Sequence, residues 1–182
     1  MTPRVSWSIK QSCILAFGLA LLTSRPTASP QVISSELSLR VAFVFNIAKF
    51  IEWPDVASRI TICAANSLPD TQAALNQLNG KSLHGKTIKI NFLSAQQIHA
   101  HQLDECQLLY QEIGSDLVLN RPLPLNTVFI RDRASTSNIP SSVVLWLGAD
   151  GRLNFSVNSI FLKSTNVKVS SQLLKLAKPQ RE

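Results

Sequence analysis

The stretch ELSLRVAFVFNIAKFIEWP, residues 36–54, is the longest apolar periodic segment of the chain. Turned at about 100° per residue, it has a narrow polar strip and apolar side chains over more than half of its circumference. A surface helix needs an apolar stripe of only about 100°. We therefore predict a helix ended by Pro54 that one sheet face cannot cover, so that a second surface, which can be another subunit, must also contact it.

This helix supplies the candidate interface residues Phe43, Asn46, Phe50 and Trp53. Packing in the core is the alternative for most of the helix. Arg40 is the unusual residue of the apolar arc, and we expect its long side chain to extend to water. The alternative for Arg40 is a contact with an acid or a ligand across an interface.

An export signal is predicted ahead of the helix. Arg4 and Lys10 precede the apolar run at residues 13–22, and small residues follow at 27–29. About ten apolar residues are too few to span roughly 30 Å of hydrocarbon, which favours cleavage over a retained anchor. We expect residues 1–29 to be a cleaved signal peptide that directs export, and residues 32–178 to be a single domain.

The charge of the mature chain argues against nucleic acid as a partner. The full chain has a formal net charge of +7, and removal of residues 1–29 leaves 15 basic and 11 acidic side chains, or +4. These basic residues are scattered singly, without the clustering and interleaved aromatic residues of a nucleic-acid-binding face. A mild positive charge is typical of a solvated protein surface.

Two cysteines, Cys63 and Cys106, remain after the signal is removed. An even number of cysteines in an oxidising compartment favours a disulfide between them. Two buried free thiols are the alternative.

Extended runs alternate with helical ones along the mature chain. We expect strands at 59–64, 87–93, 107–111 and 126–131, helices at 70–78, 94–101, 113–120 and 170–178, and a hairpin of 142–147 with 152–157. This order predicts an α/β sandwich with a mixed, mostly parallel central sheet of about six strands flanked by helices.

No catalytic, metal-binding or phosphate-binding motif is recognisable, so we predict neither an enzyme nor a cofactor. His84, His99 and His101 have poor spacing for a metal site. Arg131 and Asp132 follow the fourth strand at the carboxyl end where α/β sheets bind ligands. They are the candidate ligand-binding residues of a small-ligand module, with a loop salt bridge or turn cap as the alternative.

Several separated motifs together resemble one family of periplasmic proteins, the YfiR/HmsC-like family. They are VAFVFNIAKFIEWP (41–54), ITICAAN with Cys63, CQLLY with Cys106, RLNFSVN (152–158) and VKVSSQLLKLAK (167–178). The order and spacing of these motifs carry the resemblance across nearly the whole mature chain.

The resemblance implies that the mature protein lies in the periplasm. It also implies a repressor that binds the periplasmic sensor domain of an inner-membrane diguanylate cyclase and lowers cyclic-di-GMP and biofilm formation. It also implies an outer-membrane lipoprotein as a second partner, possible homodimers and a bond between Cys63 and Cys106. A second cysteine pair of some members is absent, and Ser141-Ser142 replaces the usual glycine pair.

Overall fold

The computed structural model describes residues 35–54, 58–94, 98 and 102–179. The helices are α1 (Ser35–Ala48), α2 (Pro69–Asn76), α3 (Ser159–Lys163) and α4 (Ser171–Leu176), with a 3-10 turn at Gln102–Glu105. The strands are β1 (Ile51–Glu52), β2 (Arg59–Ala65), β3 (Ser82–Leu83), β4 (Lys86–Leu93), β5 (Leu108–Gln111), β6 (Asp116–Leu117), β7 (Val128–Asp132), β8 (Thr136–Ser137), β9 (Val143–Leu147), β10 (Leu153–Val157) and β11 (Lys168–Val169).

A seven-stranded sheet in the order β10-β9-β7-β5-β2-β4-β3 forms the centre of the domain. Its five inner strands are parallel, and the edge strands β3 and β10 are antiparallel to their neighbours. The predicted α/β class with a mixed, mostly parallel sheet is confirmed. The additional strand is β3, joined to β4 by His84-Gly85, whose positive φ angles are those of a type I′ hairpin turn.

The order of the parallel strands is that of a doubly wound sheet. Along the chain they follow as β2, β4, β5, β7 and β9, whereas in space the order is β4-β2-β5-β7-β9. The direction in which the sheet grows therefore reverses between β2 and β5. In folds of this kind the crevice at the carboxyl ends of the two strands beside such a reversal is the usual ligand site.

Each face of the sheet has its own apolar core. The first face packs against α1 and α2 through alternate strand residues such as Ile62, Leu108 and Ile130. The second face buries a smaller cluster around Leu109 and Phe129. Because side chains alternate between the faces, the continuous apolar runs predicted from the sequence are what a sheet covered on both sides requires.

The first helix ends earlier than predicted. It stops at Ala48, and Ile51–Glu52 instead form a short antiparallel ladder with Lys168–Val169. Ser170 N–H donates to Phe50 O at 2.9 Å and extends this contact. The C-terminal segment therefore supplies part of the second surface that the apolar arc of α1 required.

The predicted helix at 113–120 is wrong. Gly114 has a φ of +73°, which interrupts helical geometry, and β6 pairs with β8 instead. Asn138 fastens the segment further, because its side chain bonds both N–H and C=O of Leu119. Most of the predicted helix at 94–101, with His99 and His101, lies outside the described residues, as does the predicted signal peptide.

Within the described part of the chain, no helix has the length and apolar character needed to cross a bilayer.

Candidate functional site

A groove of about 340 Å³ lies between α1, α4 and the edge strand β10. It is lined by Phe43, Asn46, Ile47, Phe50, Leu153, Asn154, Phe155, Leu173, Leu176 and Lys178. Its floor is apolar, and the rings of Phe43 and Phe155 meet edge to face with centroids 6.5 Å apart. The groove thus forms where the C-terminal segment covers the apolar arc of α1 only in part.

Three of the four predicted interface residues, Phe43, Asn46 and Phe50, line this groove. Trp53 does not. Its side chain is only 2% exposed, and its Nε1–H donates to Gln107 O at 3.1 Å and Asn126 O at 3.0 Å. Trp53 is therefore a core residue that ties the end of β1 to the loops before β5 and β7, because a buried indole N–H needs such partners.

Cationic side chains border the apolar floor. Lys49 Nζ donates to Asn46 Oδ1 at 3.0 Å and lies 4.5 Å from the centroid of the Phe45 ring. Lys178 is itself one of the residues that line the groove. An apolar floor with a charged border is the general composition of a protein-binding surface.

At the carboxyl edge of the sheet, Arg40 and Asp132 form a buried ion pair. The Arg40 side chain reaches from α1 to the Asp132 carboxylate at the end of β7, and both residues are almost fully buried. Arg40 also bonds the exposed Glu36 carboxylate at 2.7 Å, one helical turn earlier. Arg40 therefore does not extend to water as expected, because an acid of the same domain lies directly beneath α1.

Arg131 and Asp132, the predicted ligand-binding residues, are both engaged within the domain. Asp132 Oδ1 accepts from Ala134 N–H at 2.9 Å in addition to its bond from Arg40. Arg131 lies on the other face, where its Nη1 donates to Ser135 O at 2.9 Å. The Asp132 carboxylate is thus paired with Arg40 of α1, and both Asp132 and Arg131 also bond the backbone of the turn that follows β7. Ligand binding by these two residues stays a prediction.

Glu112 occupies the reversal point between β2 and β5. Its carboxylate accepts from Leu68 N–H at 2.6 Å and from the Thr71 hydroxyl, at the N-terminal end of α2. A helix N-terminus at this place commonly binds the anionic group of a ligand. Here the chain's own carboxylate fills that position, and nothing in the sequence around Glu112 indicated it.

Tyr110 is the last large side chain of the first-face core before this edge. Burial raises its pKa to about 12, and the nearby Arg40 charge lowers the value while the Glu112 charge raises it. Desolvation is thus the dominant cause, since it disfavours the phenolate.

Tyr110 is the only tyrosine of the chain, so its titration can be followed without interference. The folded protein should show no tyrosinate absorbance until the pH approaches 12, whereas the denatured protein should titrate near its ordinary pKa of about 10. The unfolded state releases the proton first, so the free energy of unfolding should fall between pH 10 and pH 12. Tyrosinate formation near pH 10 in a protein that is still folded would contradict the burial of this side chain.

Cys63 and Cys106 are joined by a disulfide, with Cα atoms 5.7 Å apart. The bond links β2 to the residues before β5 and lies in the second-face core, where both cysteines are buried. The alternative of two free thiols is therefore not what the structure shows. Among the described residues, no three His, Cys, Asp or Glu side chains lie together in a way that could hold a metal ion.

These features define a doubly wound α/β domain whose carboxyl edge is closed by its own charged side chains and whose apolar groove lies elsewhere, between the first helix and the C-terminal segment. The chain belongs to the YfiR/HmsC-like family, whose model matches residues 37–178. The family is regulatory and non-catalytic and is connected with periplasmic control of diguanylate cyclase signalling. Among curated proteins, none matches the chain.

Proposed function

We propose that this protein is a periplasmic, non-enzymatic repressor that binds the periplasmic sensor domain of an inner-membrane diguanylate cyclase and so lowers cyclic-di-GMP and biofilm formation. The groove beside α1 carries this proposal, because it combines an apolar floor, a cationic border and three residues that the sequence marked as an interface. Family membership supports the signalling role.

The carboxyl edge of the sheet supports a contact through protein surfaces more than a small-ligand site. Glu112 fills the N-terminal end of α2, and Arg40 neutralises Asp132 beside it. An anionic metabolite would have to displace a carboxylate that is already held by hydrogen bonds, which costs the free energy of those bonds. Homodimers and an outer-membrane lipoprotein as a second partner belong to the same proposal.

Two leucines of α4 provide a matched pair of variants. Leu176 is 62% exposed and lines the groove, whereas Leu174 is 44% exposed and lies outside it. Leu176→Glu should weaken binding of the cyclase's periplasmic domain by about 10- to 100-fold, as expected when an apolar contact residue becomes a buried charge. Isothermal titration calorimetry with the purified domains measures the dissociation constants.

Leu174→Glu introduces the same charge on the same short helix and controls for effects on folding. It should leave the dissociation constant within about threefold of wild type, since surface substitutions away from an interface are nearly neutral. Equal affinities for the two variants would exclude the groove as the binding surface.

A further inference from the structure

The outer edge of β10 lies between two cavities. The groove is on the side of α1, and a second cavity of about 410 Å³ is on the opposite side. The second cavity is lined by Arg133, Trp146, Gly148, Ala149, Asp150, Asn154, Lys178 and Pro179. Asn154 and Lys178 contribute to both cavities, so the strand edge separates them.

Hydrogen bonds between β9 and β10 establish which backbone groups point outward. Asn158 N–H donates to Ser142 O at 2.9 Å, and Gly148 N–H donates to Arg152 O at 2.8 Å. In an antiparallel pair the hydrogen-bonded positions alternate along the strand. The even-numbered residues of β10 therefore bond β9, and the backbone groups of Leu153, Phe155 and Val157 point away from the sheet.

These outward groups are almost unused. Among the described residues, their one backbone bond is that from Lys178 N–H to Phe155 O, at 2.8 Å. An edge strand with free N–H and C=O groups is a template for a further strand unless proline, inward charges or a covering element blocks it. β10 contains no proline and no charged residue.

We propose that this edge receives an extended segment of a partner protein, which adds to β10 as an eighth strand of the sheet. The inference rests on the proposed function, because it specifies how a partner would be bound beside the groove. The incoming strand replaces the single bond from Lys178 and pairs with the outward N–H and C=O groups of Leu153, Phe155 and Val157. Strand addition of this kind gains affinity from main-chain bonds and specificity from pockets for alternate side chains.

The two cavities define the chemistry of those side chains. Successive residues of a strand point to opposite faces, so one set enters the groove and the other enters the second cavity. The groove offers aromatic and aliphatic groups, including Phe43, Phe50 and Leu173. The incoming residues on that face are therefore apolar.

The second cavity favours carboxylates. The Arg133 guanidinium lies 4.2 Å from the centroid of the Trp146 ring, and both Arg133 and Lys178 are exposed residues. Asp150 is the acid of this cavity, and its carboxylate already accepts from Arg152 N–H at 3.1 Å. The remaining excess of positive charge selects a segment in which apolar and acidic residues alternate.

The other possible occupants fit less well. The chain's own Lys178 reaches this edge, but among the described residues its one backbone bond there, to Phe155 O, leaves the other outward groups free. A second copy pairing through the same edge would bring the second cavities of both copies, each with an excess of positive charge, close to the shared edge, where like charges repel. A partner segment with acidic residues instead complements this charge.

The test uses the mature protein and a short capped peptide in which leucine and glutamate alternate. Residue-resolved hydrogen exchange by NMR should show slower exchange at the outward amides of Phe155 and Val157, with little change at Asn154 and Ser156, which already bond β9. A peptide N-methylated at every residue should give no protection, because neither of its edges can donate to β10 and the methyl groups keep the two backbones apart. Unchanged exchange at Phe155 and Val157 with saturating peptide would overturn the proposal, as would equal protection by the N-methylated peptide or dimer formation without peptide binding.

Arg133→Glu should weaken the peptide about tenfold through loss of the carboxylate contact, whereas Lys89→Glu should not. Lys89 is an exposed lysine on β4, which four strands separate from β10, so it lies about 24 Å away. Equal weakening by both variants would show that peptide binding responds only to the net charge of the protein. That result would overturn the assignment of the peptide's carboxylates to this cavity. These readouts need no cyclase, so their failure is distinguishable from failure of the proposed function.

Discussion

Replacing Asp132 with alanine is expected to destabilise the domain by about 3–5 kcal/mol, the usual effect of removing one partner of a buried ion pair. The reason is the position of Arg40, which is 4% exposed and would keep its charge without the carboxylate beneath it. Ala134 would also lose the acceptor of its N–H. Urea unfolding of the two proteins, analysed at equal slope, measures the difference in free energy.

Glu36 provides the control, because it is the second acid on the same arginine but its side chain is 46% exposed. Glu36→Ala should cost less than about 1 kcal/mol, as exposed ion pairs generally do. Replacing the buried pair together, with Arg40→Met and Asp132→Leu, should cost less than Asp132→Ala alone, since no charge is left unpaired. If Asp132→Ala and Glu36→Ala destabilised the protein equally, the ion pair between Arg40 and Asp132 could not be the contact that stabilises α1 at the sheet edge.

Loss of the disulfide is expected to have a comparable effect. Cys63 and Cys106 are separated by 43 positions, and closing a loop of this length restricts the unfolded chain by about 4 kcal/mol in the chain-entropy model. The double variant with alanine at both positions should therefore unfold at a markedly lower denaturant concentration than the oxidised wild type. Since both residues are buried in the second-face core, lost packing adds to this entropic effect.

Unfolding with and without a reductant separates the contribution of the disulfide to stability from the contribution of side-chain packing. Wild type unfolded in the presence of dithiothreitol should approach the stability of the double variant, and the double variant should not respond to dithiothreitol. Alkylation of the denatured, unreduced protein should label neither cysteine. Two labelled thiols in protein purified from the periplasm would contradict the bond.

The sequence predicted the sheet well because its strands are continuous apolar runs whose burial is determined locally. The strand predicted at 126–131 lies within two residues of its predicted bounds, and the strands of the hairpin around Asp150-Gly151 lie within one. The wrong prediction of a helix at 113–120 also has a local cause. Gly114 has a positive φ angle, which interrupts a helix, and the helical pattern of this segment is weak. The end of α1 was predicted too late in the chain. Residues 51–52, which the prediction placed in the helix, pair instead with β11, more than a hundred positions away.

The site was predictable only in part. Phe43, Asn46 and Phe50 could be found because an over-wide apolar arc on one helix is visible in a single segment. The bond between Arg40 and Asp132 joins residues 92 positions apart, and the cap of α2 by Glu112 depends on how β5 and α2 meet. Such contacts depend on the order of the strands in the sheet. That order cannot be predicted from the spacing of apolar residues along the chain. The outward backbone groups of β10 likewise require the register of the hairpin.

The most direct test of the proposed function is the cellular concentration of cyclic-di-GMP in a strain that lacks this gene. If the protein represses a diguanylate cyclase through the groove, deletion should raise cyclic-di-GMP, and wild type or Leu174→Glu supplied in trans should restore the lower level. Leu176→Glu, secreted in equal amount, should leave the level high. An unchanged cyclic-di-GMP level after deletion, in cells shown to express the cyclase, would contradict the account.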